Sequence, residues 1–326
     1  MRSPTPMTGR IKKSLHIPAL LAIALLISGA PVRAGEDLGV DLRIAATIGD
    51  ADLLKDLLKE GADINAANKF GQTALFMAIQ ENNYAAAAIL ISHGADVNAR
   101  TVAGCTALTT AAGNGNAALT AMLLERGADP EARSRAGWGA LMIAARNNRR
   151  QILQQLIYKG VKLDVPDKKG RTALMQAARY GHKEATTLLG TNGANLEARD
   201  KNGDTALILA AEEGQTGTIQ RLLDMKAKIN AADNDGATAL LIAVSEKQIE
   251  AVKLLIANGA DVNKADSDGI TPLMEAVAGR NLELIRLLLA AGADASLKDN
   301  DGKTAADTAR RRGDQEILDL LTKGSG

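Results

Sequence analysis

Aromatic residues are almost missing from this chain of 326 residues: one Trp, three Tyr and two Phe, 2% of the total against 46% hydrophobic overall. A large globular core filled in the usual way with rings is excluded, so the apolar mass has to be aliphatic. Cysteine is nearly absent too. A single Cys105 excludes an intramolecular disulfide and any cysteine-ligated zinc or iron–sulfur centre made by this chain alone. Nor is there an excess of charge of one sign, since 39 Lys and Arg stand against 38 Asp and Glu, net +1. Balanced charge with ordinary hydrophobicity argues against long disorder. It also argues against the basic composition of a nucleic-acid-binding protein, and no nucleic-acid partner is expected.

The first 34 residues differ from the rest. Arg2, Arg10, Lys12 and Lys13 precede an apolar centre at residues 17–27, IPALLAIALLI, followed by small residues and then Val32-Arg33-Ala34. Basic start, short apolar run and small-residue end are the order of a secretory signal peptide, with cleavage expected between Ala34 and Gly35. The alternative is an uncleaved membrane anchor facing the periplasm, but the strongly apolar part is shorter than the ~20 residues a spanning helix needs. Cleavage removes five basic and no acidic residues, leaving a net charge of −4, and no membrane association is expected of the mature chain. A periplasmic or secreted location follows, and a bacterial source is expected.

What fills the remainder is a period. Glycines recur every 33 residues at Gly71, Gly104, Gly137, Gly170, Gly203, Gly236, Gly269 and Gly302, and seven residues after each stands alanine, from Ala78 and Ala111 to Ala276 and Ala309. Between them come Thr-Ala-Leu or Thr-Pro-Leu segments such as Thr172-Ala173-Leu174 and Thr271-Pro272-Leu273; farther on comes Gly-Ala-Asp-x-Asn, as in residues 94–98 and 259–263. A fixed period of this size denotes a solenoid of stacked supersecondary units. Asp200, Asp233, Asp266 and Asp299 each lead a four-residue Asp-x-x-Gly, the preference of a type I turn. Threonine then offers a helix N-cap, with Ala or Pro at the first helical position. The first helix closes at Gly115, Gly181, Gly214 or Gly313, and a second, such as residues 282–291, closes at Gly292. Helices this short are marginal alone, so their stability has to come from neighbours.

In spacing and residue type the chain resembles the ankyrin repeat family, whose signature is Thr-Pro-Leu-His-x-Ala. The resemblance implies an all-α ankyrin-repeat solenoid of helix-turn-helix units with projecting β-turn or hairpin fingers. It divides the chain into a short linker (35–37), one domain of about nine repeats (38–70, 71–103, 104–136, 137–169, 170–202, 203–235, 236–268, 269–301 and 302–323) and a flexible tail (324–326). At ~8–10 Å between packed helices, nine repeats make a curved rod roughly 80 Å long. The signature histidine is replaced by Phe76, Thr109, Met142, Met175, Ile208, Leu241 and Met274. Apolar packing is expected where the family makes a polar contact between repeats. Polar residues in the last repeat, Asp307, Arg310, Arg311, Arg312 and Asp314, suit a solvent-facing cap.

Chemistry is hard to find. No Gly-x-Ser-x-Gly elbow, phosphate-binding loop or His-Glu-x-x-His helix occurs. His93 and His182 fall at different places in the period and read as solvated or helix-end residues. Asp266, Asp268, Gly269 and Glu275 fall at positions 3, 5, 6 and 12 of a calcium loop, but position 1 is Lys264, and the repeat already explains the aspartates. Cys105 reads as an inert or partly exposed thiol, with intermolecular pairing left open. No catalytic residue, metal or cofactor is expected. The alternatives to a plain binding module are an inhibitor or immunity protein of an exported enzyme or toxin and, in another class, a metal-dependent or thiol enzyme.

In the family the finger tips and first helices form the concave binding face. That implies a protein partner and, by position in the period, places Phe70, Arg135, Trp138, Lys168, Lys169 and Arg171 on or beside fingers. Arg146, Arg149, Arg179 and Tyr180 fall on or just after first helices. Aromatics and arginines are the types that dominate interface energetics. Trp138 is either an interface anchor or a plug for the gap left by Gly139, which stands where threonine is usual. Residues 126–180 hold twelve Lys and Arg against four Asp and Glu, and residues 200–301 hold ten against seventeen, a basic middle beside an acidic C-terminal half. The departures at Gly139, Pro166, Gly190 and Lys226 make repeats 137–235 the expected least stable stretch. A monomer is the default, because polar terminal repeats oppose end-to-end stacking. The signal reading makes one prediction: mass spectrometry of the protein purified from an exporting host gives a chain beginning at Gly35, whereas an uncleaved anchor gives the full-length mass.

Overall fold

The computed structural model describes residues 37–323. The expected signal segment with its Ala34/Gly35 cleavage site, most of the linker and the expected tail lie outside the described residues. Among the described residues are eighteen helices and no strand, running from Leu38–Ile48 and Ala51–Lys59 to Ala305–Arg311 and Gln315–Lys323. They alternate in two layers. Each first helix packs on the first helices of the neighbouring repeats, each second helix sits beside its own first helix, and neighbouring second helices touch less closely. None of these helices is long and apolar enough to cross a membrane.

Local chemistry sets each helix start. The Thr73 hydroxyl accepts from the Phe76 amide at 3.2 Å, and Thr106, Thr172, Thr205, Thr238, Thr271 and Thr304 cap their helices in the same way. Among the described first helices Gly139 alone provides no side-chain cap, whereas second helices such as those after Arg149, His182, Gln215 and Gln248 commonly lack one. The repeated alanines Ala78, Ala111, Ala144, Ala177, Ala210 and Ala243 are fully buried, which lets neighbouring first helices approach closely. Leu123, Leu222, Leu255 and Leu288 are equally buried in the second layer. At the signature-histidine position the replacements are all buried. Phe76, Met142, Ile208 and Leu241 pack as apolar groups, while the Thr109 hydroxyl and the Met175 and Met274 sulfurs accept the N-cap amides of Thr106, Thr172 and Thr271 in capping boxes.

Fingers are tight turns closed by two backbone hydrogen bonds, such as Asp200 N–H to Asp204 C=O and Gly203 N–H to Asp200 C=O, both at 3.0 Å. The leading carboxylate accepts twice more: Asp200 Oδ1 takes the amides of Asn202 (2.8 Å) and Asp204 (3.1 Å). Each finger then donates one backbone N–H to the finger before it. Val102 to Phe70, Arg135 to Ala103, Lys168 to Ala136 and Lys201 to Lys169 lie at 2.8–3.1 Å, and Asn234, Ser267 and Asn300 continue the series. The finger glycines need positive φ and also absence of a side chain. A Cβ on Gly71 would meet the Val102 backbone nitrogen at 2.9 Å.

A second ladder runs through the Asn of Gly-Ala-Asp-x-Asn. Asn65 Oδ1 accepts from the Asp96 amide, and Asn98, Asn230 and Asn263 accept from Asp129, Asp261 and Asp294, at 2.7–2.9 Å. Glu131, Asp164 and Glu197 do the same with Lys162, Asn195 and Lys228. Polar contact between repeats is therefore kept, at a place other than the signature histidine.

Strain is more widely spread than the sequence suggests. Lys226 holds φ 71° where glycine is usual, but Asn82, Asn148, Lys247 and Arg280 also take positive φ, at the first-helix closing position that glycine fills elsewhere. Gly190 is compensated, because Met225 of the next repeat sits where its Cβ would be. The Thr186 and Thr218 hydroxyls, in contrast, are buried without a hydrogen-bond partner. In the terminal repeat Arg310 pairs with Asp307 at 2.6 Å and Asp314 with Arg280 at 2.8 Å, so the polar end is internally neutralised. Lys226→Gly, which removes left-handed strain, and Thr186→Val, which removes an unpartnered hydroxyl at constant shape, should each raise stability by about 1 kcal/mol, read as an upward shift in thermal midpoint.

Candidate functional site

Residues 33 apart stack into rows across the first helices and the finger bases, and these rows form one face. One row runs Trp138, Arg171, Asp204; a second runs Arg146, Arg179, Glu212; a third runs Tyr180, Glu213, Glu246. Between fingers and first helices the face is recessed into a groove of about 510 Å³, lined by Asp204, Asp233, Asp235, Glu212 and Glu246 with Ile208 and Ile242 at its apolar floor and Lys201 at its edge.

The expected site residues divide into three groups. Trp138, Arg146 and Tyr180 come together: the Arg146 guanidinium lies 5.0 Å from the Trp138 ring centre and 4.6 Å from that of Tyr180. Tyr180 is also stacked on His182, 6.3 Å between centroids. Trp138 is half-buried against the core. The Arg133 stem lies against Gly139, so that a Cβ there would meet its Cγ at 3.3 Å.

Phe70, Arg135, Lys168 and Lys169 form the second group, at exposed finger tips. Phe70 is 56% exposed, with the Lys69 ammonium 5.1 Å from its ring centre. The remaining three are turned inward or away. Arg171 Nε meets Asp200 at 3.4 Å, and their side chains are only 19% and 2% exposed, so Arg171 is a structural ion pair between repeats. Arg179 is held by Glu212 at 3.3 Å and Glu213 at 2.9 Å. Arg149 starts the second helix Arg150–Tyr158, a full first helix away from its finger, and covers Gly115 of the preceding repeat.

Sequence reasoning missed the acidic lining as a site. The signal was available, because Asp204, Glu212, Asp235 and Glu246 fall on the same rows as the basic candidates. Asp204 is pushed above the ordinary carboxylate range by desolvation and then by the charge of Asp200. Glu212 is raised as well, desolvation outweighing the opposing pull of Arg179, with Glu213 adding to the rise.

The other candidates for chemistry have structural employment. His182 Nε2 bonds the Arg146 carbonyl at 2.7 Å, and His93 Nδ1 bonds that of Ile89 at 2.8 Å. Asp266 Oδ1 accepts from the Asp268 and Ile270 amides within its turn. Cys105 is half-exposed, its amide bonded to Thr101 Oγ1 at 3.0 Å. Among the described residues no three His, Cys, Asp or Glu side chains are grouped to hold a metal ion.

Two family descriptions match the chain: ankyrin repeats in three copies over residues 42–134, 131–200 and 186–266, and ankyrin repeats in many copies over residues 255–309. No curated protein matches.

The raised carboxylates give a pH prediction. The folded chain holds the Asp204 proton more tightly than the unfolded chain does, so its contribution is favourable at low pH and is lost as pH rises through the folded value. Asp204→Asn should therefore raise the thermal midpoint at pH 7. That gain should shrink to nothing once the pH is below the ordinary carboxylate range, where Asp204 is protonated in both states.

Proposed function

This chain belongs to the ankyrin-repeat family, and on that premise we propose that it is an exported, periplasmic scaffold or adaptor that holds a partner protein on its finger-lined face. Ankyrin repeats generally mediate protein–protein interaction and are typically non-enzymatic. One observation carries the reading. An arginine–aromatic cluster, with Tyr180 exposed and Arg146 and Trp138 half-buried, shares its stacked rows with a carboxylate-lined groove that includes Ile208 and Ile242. Aromatics and arginine are the side chains that most often dominate interfaces, and charge of both signs selects and orients a partner. The N-terminal pattern supports export, and the polar terminal repeats support a monomer.

Affinity capture from a periplasmic extract tests this, provided the variants leave the internal ion pairs intact. Arg171→Glu would set an acid beside the buried Asp200, so Arg146→Ala, Tyr180→Ala and the tip pair Lys168→Glu, Lys169→Glu are the better probes. Wild type should retain one protein, and a folded Arg146→Ala, Tyr180→Ala variant should bind it about 30-fold more weakly, the scale of one interface hot spot. Equal binding by wild type and every variant would remove this face from the reading.

A further inference from the structure

If this face takes a protein, its two halves require different chemistry from that protein, and the repeat register shows why. Arg179 finds its acids one repeat on, at Glu212 and Glu213. Arg146 occupies the same row one repeat earlier, and the positions where it would find acids hold Arg179 and Tyr180 instead. It gains a ring in place of a carboxylate. The Trp138 and Tyr180 ring centres lie 5.0 and 4.6 Å from the guanidinium carbon, while no side-chain carboxylate among the described residues pairs with it. A guanidinium held by rings and not by an acid keeps its N–H fork for a planar bidentate acceptor, which in a protein partner is a carboxylate.

Two repeats farther along, the need is reversed. Asp235 and Glu246 line the groove without an ion pair among the described residues, Asp204 takes the Asn202 amide at 3.5 Å and feels Arg171 only through its charge, and Lys201 is the single basic residue of the lining. The apolar floor of Ile208 and Ile242 suits the methylene stems of lysine or arginine, whose heads would reach the carboxylates at the rim.

We infer that the face is a receptor for a dipolar protein segment, with a carboxylate seated on Arg146 and a lysine or arginine cluster lying in the groove between Asp204 and Glu246. The inference rests on the interaction reading above. At roughly 10 Å per repeat the two ends lie about 20–30 Å apart, which an extended segment covers in about six to nine residues.

Synthetic fluorescent peptides carrying two aspartates, a neutral glycine–serine spacer and three arginines, made in both chain directions, provide the probe. Controls carry only the acidic end, only the basic end or the same residues scrambled, and an oligothymidylate tests for general polyanion binding. One direction of the dipolar peptide should bind the mature protein at least about tenfold more tightly than either single-ended peptide, because engagement of one end makes that of the other intramolecular. Arg146→Gln should abolish the advantage of the acidic end alone. Arg146→Lys, which keeps the charge and loses the planar fork, should weaken it as well. Asp235→Asn with Glu246→Gln should abolish the advantage of the basic end alone.

Equal binding of dipolar, single-ended and scrambled peptides would overturn the assignment, as would an unchanged ranking in Arg146→Gln or tighter binding of the oligothymidylate. The peptide ranking is read without the natural partner. Its failure would remove the dipolar assignment only, and the capture result would still decide the interaction reading independently.

Discussion

One backbone hydrogen bond per repeat, from each finger to the finger before it, sets the translation along which everything else is stacked. It fixes repeat to repeat at a register of 33 residues, so that alanine meets alanine between first helices and leucine meets leucine between second helices. The Asn, Asp and Glu side chains that accept the amide 31 residues onward hold the same register at another corner of the repeat. With two polar ladders fixing geometry, the apolar layers can be built from small and medium aliphatic groups alone. That is how a chain with six aromatic residues sustains so extended a core.

The same register converts sequence into surface. Residues 33 apart become neighbours, so the switch from Arg146 and Arg179 to Glu212 along one row becomes a boundary on the face, with Arg179 bridging it to the acids beyond. The boundary has an energetic side. Asp204 and Glu212, desolvated in the groove and near other carboxylates, resist ionisation, which puts part of the stability at odds with the charge of the surface.

Most of the fold was legible in the sequence because its determinants are local. Threonine caps, finger aspartates and closing glycines each act within a few residues and fall where the periodicity places them. The strained closing positions at Asn82, Lys247 and Arg280 were not legible, since nothing local marks a lysine or arginine as left-handed; only alignment with Gly115 and Gly214 does so. The site was read in part. Trp138, Arg146 and Tyr180 come together, a contact their separate places in the period did not announce, and Arg171 and Arg179 are committed to acids 29 to 34 residues away, which become neighbours only after stacking. A count of basic residues therefore overstates how many are free.

The finger joint is a backbone hydrogen bond throughout, and the tips that carry it run from Lys69-Phe70 through Arg135-Ala136 to Lys168-Lys169, Asn234-Asp235 and Asn300-Asp301 without breaking the series. What the joint requires at every step is the glycine beside it; only the tip amides of Asn234 and Asn300 reinforce it, by donating to Lys201 and Ser267 carbonyls of the finger before. Architecture and exposed chemistry are thus written largely in different residues of the same turn. Under the proposed interaction, most tip side chains can change while the scaffold beneath them stays as it is.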